Sequence, residues 1–175
     1  MKAELRKAAI KKRKTLNNRE LSERVIKNLL ATDEYKGSKN IISYYPLKYE
    51  IDTAVCIKDK TKNWYLPRVS GDFLEICPCD DLCRGSFGIL EPQTKPIRDY
   101  SFIDMVIIPA CAADKNGYRL GYGKGYYDRF LPLLPLTCKK VILIFSDLLY
   151  ETVYPENHDV KADIIVTENR VYKFF

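Results

Sequence analysis

The apolar run Met105-Val106-Ile107-Ile108-Pro109 decides the fold class, together with a second run of the same kind, Val141-Ile142-Leu143-Ile144-Phe145. Neither run alternates with polar residues, as a strand with one solvated face would, so both are predicted to be strands covered on both faces. Helix-forming segments alternate with strand-forming segments along the chain, which is typical of a mostly parallel sheet between layers of helices. The sequence therefore predicts an α/β fold, with a three-layer α/β/α, Rossmann-like arrangement.

No repeat, low-complexity segment or linker divides the chain, and 175 residues suit one buried core. Residues 1–175 are therefore predicted to form a single domain. The stretch 78–104, rich in Pro, Gly and Asp, is predicted as a long irregular excursion of that domain. The predicted helices cover residues 3–15, a segment starting near Asn18, 53–60 and 126–133, and the predicted strands cover 40–45, 64–66, 73–77, 105–108, 141–145 and 164–166.

The positive charge of the chain is concentrated at its N-terminus. The net charge is +6, and the first fourteen residues account for all of it, with seven lysines and arginines against one glutamate. A general nucleic-acid binder spreads its basic residues over a face of the fold, so no nucleic-acid partner is expected. Lys7, Lys11 and Lys14 are interpreted as a solvated helix face. Lys2 and Arg6 lie four residues apart, on one side of a helix, where both can reach a polyanion.

The hydropathy pattern favours a cytoplasmic protein without a membrane partner. No apolar run approaches the roughly 20 residues that span a bilayer, and the charged N-terminus has no apolar signal core. Hydrophobic residues make up 46% of the chain and charged residues 30%, which is the balance of an ordinary globular protein.

Six cysteines are many for this length, and Cys77, Cys79 and Cys83 lie close together in the sequence. A zinc site is not expected, because no CxxC pair exists and the only histidine, His158, is far along the chain. These thiols are interpreted as reduced residues of a surface loop.

The segment from Gly117 to Arg129 carries the clearest chemistry. Its alternating glycines let backbone N–H groups approach an anion, while Arg119 and Lys124 can neutralise phosphate charge and Asp128 can hold the accompanying metal. The segment is not a Walker A loop, because Tyr118 stands where that motif needs glycine and Gly125 stands where it needs Ser or Thr. It is not a dinucleotide-binding GxGxxG motif either, because Tyr126 stands at the position of the last glycine. It is predicted to be a phosphate-binding loop at the carboxyl end of a buried strand.

This segment resembles the signature of the 5-formyltetrahydrofolate cyclo-ligase family, also called methenyltetrahydrofolate synthetases. The resemblance covers nearly the full length of the chain, with the motifs in the family's order and approximate spacing. The matching motifs are Lys2-x-x-x-Arg6, Tyr45-Pro46-x-x-x-Glu50-Ile51-Asp52-Thr53, Leu66-Pro67-Arg68-Val69, Gly88-Ile89-x-Glu91-Pro92, Arg119-Leu120-Gly121-x-Gly123-Lys124-Gly125-Tyr126-Tyr127-Asp128 and Asp159-x-Lys161-x-Asp163.

The resemblance implies a ligase of folate and one-carbon metabolism. ATP and magnesium would drive closure of 5-formyltetrahydrofolate to 5,10-methenyltetrahydrofolate, with release of ADP and phosphate. Phosphorylation of the formyl oxygen would make it a good leaving group before N10 attacks. Positioning and charge stabilisation would then be the main work of the protein.

The resemblance also implies roles for individual residues. Lys124, Arg119 and Tyr126 would be catalytic. At the first folate-binding position, where members of the family often have an apolar residue, this chain has Tyr45. The residues that would contact ATP are Lys2, Arg6, Arg119, Leu120, Gly121, Tyr122, Gly123, Lys124, Gly125, Tyr126 and Tyr127. The residues that would contact the folate are Tyr45, Glu50, Tyr122, Gly123, Lys124, Gly125 and Tyr126. Magnesium would be held by Asp128 and Asp159.

Two other functions stay open at the level of sequence. The chain could be a catalytically idle folate- or RNA-binding homologue that uses its basic N-terminus, although such a module has no need of both aspartates and Glu50. It could also be a different ATP-dependent enzyme with the same phosphate-binding loop. The expected partners are 5-formyltetrahydrofolate and ATP, and the expected oligomeric state is a monomer.

Overall fold

A computed structural model describes residues 1–85 and 88–175 of the protein. The helices are α1 (Lys2–Arg13), α2 (Asn18–Ala31), α3 (Asp33–Gly37) and α4 (Tyr126–Phe130), with 3-10 turns at Thr53–Lys58, Leu131–Leu133 and Ser146–Leu148. The strands are β1 (Asn40–Ile42), β2 (Asn63–Ser70), β3 (Phe73–Pro78), β4 (Leu82–Arg84), β5 (Leu90–Pro92), β6 (Met105–Ile108), β7 (Ala112–Asp114), β8 (Arg119–Leu120), β9 (Lys139–Leu143), β10 (Leu149–Tyr150), β11 (Ile164–Val166) and β12 (Val171–Lys173).

A seven-stranded sheet forms the centre of the molecule, in the order β12-β11-β9-β6-β1-β2-β3. The five inner strands are parallel, and an antiparallel strand closes each edge. Every residue of β6 and of β11 is buried, as are the last three residues of β9, so both faces of the sheet are covered. The predicted α/β fold class and its mostly parallel central sheet are confirmed.

The strand order reverses between β1 and β6. After β1 the chain adds β2 on one side, whereas β6, β9 and β11 add successively on the other side. Crossovers that leave a parallel sheet in opposite directions open a crevice at the carboxyl ends of the two strands concerned. Tyr44 and Tyr45 come soon after β1 and Pro109 follows β6, and all three border the crevice.

Several predicted elements have different bounds in the structure. The strand predicted at 40–45 ends at Ile42, and the helix predicted at 53–60 is a 3-10 turn in which the Asp52 side chain accepts a hydrogen bond from the N–H of Ala54. The helix predicted at 126–133 stops at Phe130, because Pro132 lacks the N–H that would continue it. The excursion 78–104 contains the short β4–β5 hairpin.

The interpretation of the cysteines as residues of a surface loop is wrong for Cys77. This residue lies in β3 and is fully buried, whereas Cys79 is half-buried and Cys83 is exposed. None of the six cysteines forms a disulfide. None of the helices within the described ranges is both long and apolar enough to cross a bilayer.

A small second sheet, with the order β10-β7-β8, carries the glycine-rich segment. The β7–β8 hairpin lies between β6 and the glycines, and sequence analysis did not predict it. Asp114, at the end of β7, is completely buried and has no cation partner among the described residues. Its carboxylate accepts hydrogen bonds from the backbone N–H groups of Asn116, Tyr118 and Val153, at 3.0 to 3.1 Å. One side chain therefore fixes both the hairpin turn and the segment that follows β10.

We predict that Asp114→Ala lowers the free energy of unfolding by at least about 3 kcal/mol. The substitution leaves the buried N–H of Val153 and the partly buried N–H groups of Asn116 and Tyr118 without their acceptor, and a buried group of this kind costs about 1 to 3 kcal/mol. Urea unfolding followed by circular dichroism measures the change. Asp33→Ala is the control, because that side chain is 95% exposed and its loss should cost less than about 0.5 kcal/mol. Equal stability of the two variants would contradict the structural role of Asp114.

Candidate active site

A cleft of about 640 Å³ opens at the carboxyl ends of β1 and β6, where the strand order reverses. Its walls come from α1, the segment after β1, the β2–β3 and β4–β5 hairpins, the glycine-rich segment and the segment that contains Asp159. Every site residue that the sequence predicted lines this one cleft: Lys2, Arg6, Tyr45, Glu50, Arg119, Leu120, Gly121, Tyr122, Gly123, Lys124, Gly125, Tyr126, Tyr127, Asp128 and Asp159.

The glycine-rich segment forms a tight loop between β8 and α4. Gly123 and Gly125 have φ angles of 94° and 70°, which L-residues rarely adopt. Arg6 reaches this loop from α1, and its Nε donates a hydrogen bond of 2.7 Å to the carbonyl of Gly121. A side chain at Gly123 would come within 3.4 Å of the same guanidinium. The backbone conformation therefore favours glycine at this position, whereas an added Cβ would only be in ordinary van der Waals contact with Arg6.

Lys2 connects the start of α1 to the segment containing Asp159. Its ammonium lies 2.9 Å from Asp159 Oδ2 and 2.8 Å from Glu156 Oε1. Burial lowers the pKa of Lys2, but hydrogen bonds to the two carboxylates outweigh this effect, so the pKa is raised. Burial raises the pKa of Asp159, but hydrogen bonds from Lys2 and from the N–H of Glu156 produce a net decrease. The two groups therefore stay ionised as a pair around neutral pH.

Arg119 is the most buried cation of the phosphate-binding loop, with a side chain only 7% exposed. Its Nη2 donates a hydrogen bond of 2.7 Å to Asp128, and its guanidinium lies 5.7 Å from the centre of the Tyr127 ring. Arg119 Nε and Tyr127 Oη are buried without a hydrogen-bond partner in the described part of the chain. Burial raises the pKa of Tyr127 despite the nearby Arg119 charge, so its hydroxyl stays protonated. Both groups can donate a hydrogen bond to an anionic ligand.

At the other end of the cleft, Glu50, Tyr122 and Arg13 form a buried network. The Tyr122 hydroxyl accepts a hydrogen bond of 2.8 Å from Arg13 Nη2 and donates its own proton to Glu50 Oε1. Glu50 Oε2 accepts a hydrogen bond of 2.7 Å from the N–H of Leu47. The Glu50 side chain is 5% exposed and lines the cleft. This end of the cleft thus offers a fixed carboxylate, while Tyr45 lies beside it, half-buried.

Sequence reasoning missed an apolar wall of the cleft. Hydrophobic residues in predicted strands are expected in a core, so nothing in the sequence distinguished those that face a ligand. Tyr44, Glu91, Pro109 and His158 also line the cleft and were missed. The wall consists of Pro67, Val69, Leu74, Ile89 and Leu90.

Two further cations, Arg68 and Arg13, are held by partners within the protein. Arg68, from the motif Leu66-Pro67-Arg68-Val69, pairs with Glu75 at 2.8 Å and donates hydrogen bonds to the carbonyls of Pro92 and Thr94. It therefore supports the β2–β3 hairpin and does not line the cleft. Arg13 belongs to the basic N-terminal run but is buried. Lys7, Lys11 and Lys14 are exposed, as predicted.

The two predicted magnesium ligands, Asp128 and Asp159, both line the cleft, and each is paired with a cation. Among the described residues, no three His, Cys, Asp or Glu side chains lie close enough together to hold a metal ion. Magnesium does not need such a group, since one or two carboxylates together with phosphate oxygens and waters complete its coordination. The donor types at this site therefore fit magnesium held jointly with a phosphate ligand.

Comparison with known proteins extends the resemblance. Residues 1–168 match the model of the 5-formyltetrahydrofolate cyclo-ligase family. The 5-formyltetrahydrofolate cyclo-ligase of Mus musculus is 27% identical over 163 residues, covering 81% of this chain and 79% of the mouse protein. The enzyme of that name from Haemophilus influenzae is 32% identical over 127 residues, covering 66% of this chain and 68% of its own length.

Two solved structures share the fold over almost their whole length. The NMR structure of Aquifex aeolicus 5,10-methenyltetrahydrofolate synthetase has a TM-score of 0.87 at 36% identity, covering 99% of this chain and 92% of the other. A 5,10-methenyltetrahydrofolate synthetase from Mycoplasma pneumoniae has a TM-score of 0.78 at 26% identity, covering 95% and 98%. With the family match over 168 of 175 residues, these similarities show that the chain belongs to the 5-formyltetrahydrofolate cyclo-ligase family of enzymes.

Proposed function

We propose that this protein converts 5-formyltetrahydrofolate to 5,10-methenyltetrahydrofolate, using ATP and magnesium and releasing ADP and phosphate. One observation carries the proposal: residues from the N-terminus, the segment after β1, the glycine-rich loop and the segment near Asp159 line a single cleft. One end of the cleft carries cations and the other a fixed carboxylate. This polarity suits a phosphate donor and a pterin held side by side.

The reaction requires activation of a poor leaving group. The formyl oxygen of the substrate is attached to an amide-like carbon, from which it does not depart unaided. Transfer of the γ-phosphoryl group of ATP to this oxygen gives ADP and an iminium phosphate. N10 of the folate then attacks the same carbon to form the new C–N bond, and the methenyl group forms as N10 loses its proton to solvent and phosphate leaves. Positioning and electrostatic stabilisation account for most of the catalysis in such phosphoryl transfers.

The cationic end of the cleft is suited to the triphosphate. Lys124 is exposed at the mouth of the cleft, where it can follow charge that moves from the γ-phosphate to the leaving oxygen. Arg119 can donate its free Nε–H, and Tyr126 can contact either substrate from the start of α4. Lys2 and Arg6 extend the same surface toward the phosphates. Magnesium, when bound with ATP, would neutralise phosphate charge beside Asp128 and Asp159.

The opposite end is suited to the pterin ring. A pterin presents neighbouring N–H donors, and the Glu50 carboxylate, oriented through both of its oxygens, can accept from them. Tyr45 and the apolar wall offer flat and hydrophobic surface to the pterin and the benzoyl group. We propose a cytoplasmic protein that acts as a monomer on small-molecule substrates, which is consistent with a cleft lined by residues from many segments of one chain.

A spectrophotometric assay for the methenyl product tests this function. We expect product from 5-formyltetrahydrofolate only when ATP and magnesium are both present. A flat trace with folded protein that still binds the folate would favour a catalytically idle homologue. Turnover of ATP with another acceptor, and none with 5-formyltetrahydrofolate, would favour a different ATP-dependent enzyme.

We predict that Lys124→Ala lowers the turnover number about a hundredfold and leaves the fold intact. The side chain is exposed, so its loss should affect charge stabilisation in the transition state, where one such contact contributes about 3 kcal/mol. Turnover at saturating ATP is the measurement, and Lys11→Ala is a control that removes an exposed lysine from α1. Near-normal turnover of Lys124→Ala would contradict the assignment of the phosphate-binding loop.

We predict that Asp128→Asn and Asp159→Asn each raise the magnesium concentration for half-maximal rate about tenfold, with a smaller effect on the folate KM. The double variant should lose much less than two independent losses would give, because both residues would act on one ion. Glu156→Gln is the control for Asp159, since Glu156 also pairs with Lys2 but does not line the cleft. Fully additive losses, or an equal magnesium defect in the control, would show that the aspartates share no metal.

A further inference from the structure

Arg13, the last residue of α1, is unlike the rest of the basic N-terminal run because it is only 6% exposed. Its Nη1 lies 3.3 Å from the carbonyl oxygen of Ala110, just beyond β6, and 3.9 Å from Glu50 Oε1. Its Nη2 lies 2.8 Å from the Tyr122 hydroxyl. A buried cation is costly unless partners of this kind compensate its desolvation. Arg13 therefore ties the end of α1 to three segments that meet behind the cleft.

The hydrogen-bond chemistry of arginine fixes the direction of this network. A guanidinium has donors only, so the Tyr122 oxygen must accept from Arg13 and is left to donate its proton to Glu50. Burial and the Glu50 charge raise the pKa of Tyr122, so the hydroxyl keeps the proton that this arrangement requires. The guanidinium stays charged. Burial lowers the pKa of Arg13, but Tyr122 and Glu50 together outweigh this effect, so the pKa is raised.

Glu50 is consequently held from both sides. One oxygen accepts a hydrogen bond from the Tyr122 hydroxyl and faces the Arg13 charge, and the other accepts a hydrogen bond of 2.7 Å from the N–H of Leu47. The carboxylate cannot rotate without breaking one of these bonds, yet it lines the cleft and keeps free lone pairs for a ligand. Its orientation is therefore determined before any ligand binds.

Arg13 itself does not line the cleft. It lines a separate cavity of about 10 Å³ on the far side of Glu50 and Tyr44, at the ends of β6 and β9. A side chain in this place cannot touch a ligand in the cleft, and any effect it has on ligand binding must pass through Tyr122 and Glu50.

We propose that Arg13 is a positioning residue that holds Tyr122 and Glu50 in the orientation that receives the pterin ring. This inference rests on the proposed function, in which Glu50 accepts hydrogen bonds from the pterin. It predicts that loss of Arg13 weakens folate binding more than ATP binding, because Lys2 and Arg6 keep their own contacts with Asp159 and with the carbonyl of Gly121.

The experiment compares Arg13→Met, which removes the charge at similar length, with Arg13→Lys, which keeps a charge but cannot contact three acceptors in one plane. Titration calorimetry measures the Kd of 5-formyltetrahydrofolate without ATP, and the Kd of ATP separately. We expect Arg13→Met to weaken folate binding at least tenfold, with the ATP Kd changed less than twofold. Arg13→Lys should recover part of the loss, and Lys14→Met, at the exposed next residue, should match the wild type.

Glu50→Gln, Tyr122→Phe and the double variant Arg13→Met/Tyr122→Phe complete the design. If Arg13 acts through Tyr122, the double variant should bind folate only slightly more weakly than Arg13→Met alone. Additive losses would overturn this route. Equal losses of folate and ATP binding in Arg13→Met would show that Arg13 merely supports the fold.

Glu50→Gln separates failure of this inference from failure of the proposed function. If Glu50→Gln binds folate as tightly as the wild type, Glu50 does not contact the pterin, and the proposed binding mode itself is wrong. If Glu50→Gln binds folate weakly and Arg13→Met binds it normally, the contact between Glu50 and the pterin is supported and the role of Arg13 is overturned. If Arg13→Met does not fold, Arg13→Lys decides, since folate binding as tight as in the wild type would contradict the proposal.

Discussion

The docking of α1 against the carboxyl edge of the central sheet is the constraint on which the cleft depends. Lys2, Arg6 and Arg13 are separated by four and seven residues, and at about 100° per residue all three fall on one face of the helix. Ala9 lies on the same face and is completely buried, which lets the helix approach the sheet closely. At about 1.5 Å per residue, Lys2 and Arg13 are some 16 Å apart along the axis. One helix therefore reaches from the Asp159 segment to the Glu50 network.

The charged groups around this helix and the neighbouring glycine-rich loop are paired with one another, and the pairing sets the charge balance of the cleft. Lys2 faces Asp159 and Glu156, Arg119 faces Asp128, and Arg13 faces Glu50. Buried or half-buried charges without partners would each cost several kcal/mol, so the pairing is what allows so many of them near one cavity. A ligand that carries both phosphates and a metal ion could exchange partners with the pairs at the phosphate end without leaving a charge uncompensated.

The parts of this arrangement that sequence predicted are those with a local cause. Met105 to Ile108 had to be a buried strand because no polar residue interrupts it, and the composition of the glycine-rich segment predicts a phosphate-binding loop, whose residues line the cleft. Arg13 could not be predicted in the same way. Its neighbours in sequence are solvated lysines, and its burial depends on Tyr122, which lies 109 residues away. The β7–β8 hairpin escaped prediction because Ala112-Ala113-Asp114 lacks the β-branched residues that mark a strand.

The reversal of strand order places the glycine-rich loop beside both of the proposed ligands. β1 leads into Tyr45 and Glu50, whereas β6 leads through the β7–β8 hairpin into the glycines, and the two strands are neighbours in the sheet. Within the loop, the Gly121 carbonyl is held by Arg6, and the next side chain, Tyr122, points to Glu50. Gly121 and Tyr122 are adjacent in the chain, yet Gly121 contacts Arg6, from the proposed phosphate site, and Tyr122 contacts Glu50, from the proposed pterin site. A phosphoryl donor and an acceptor bound at these two ends would meet over the same few backbone atoms, which is the proximity that transfer between them requires.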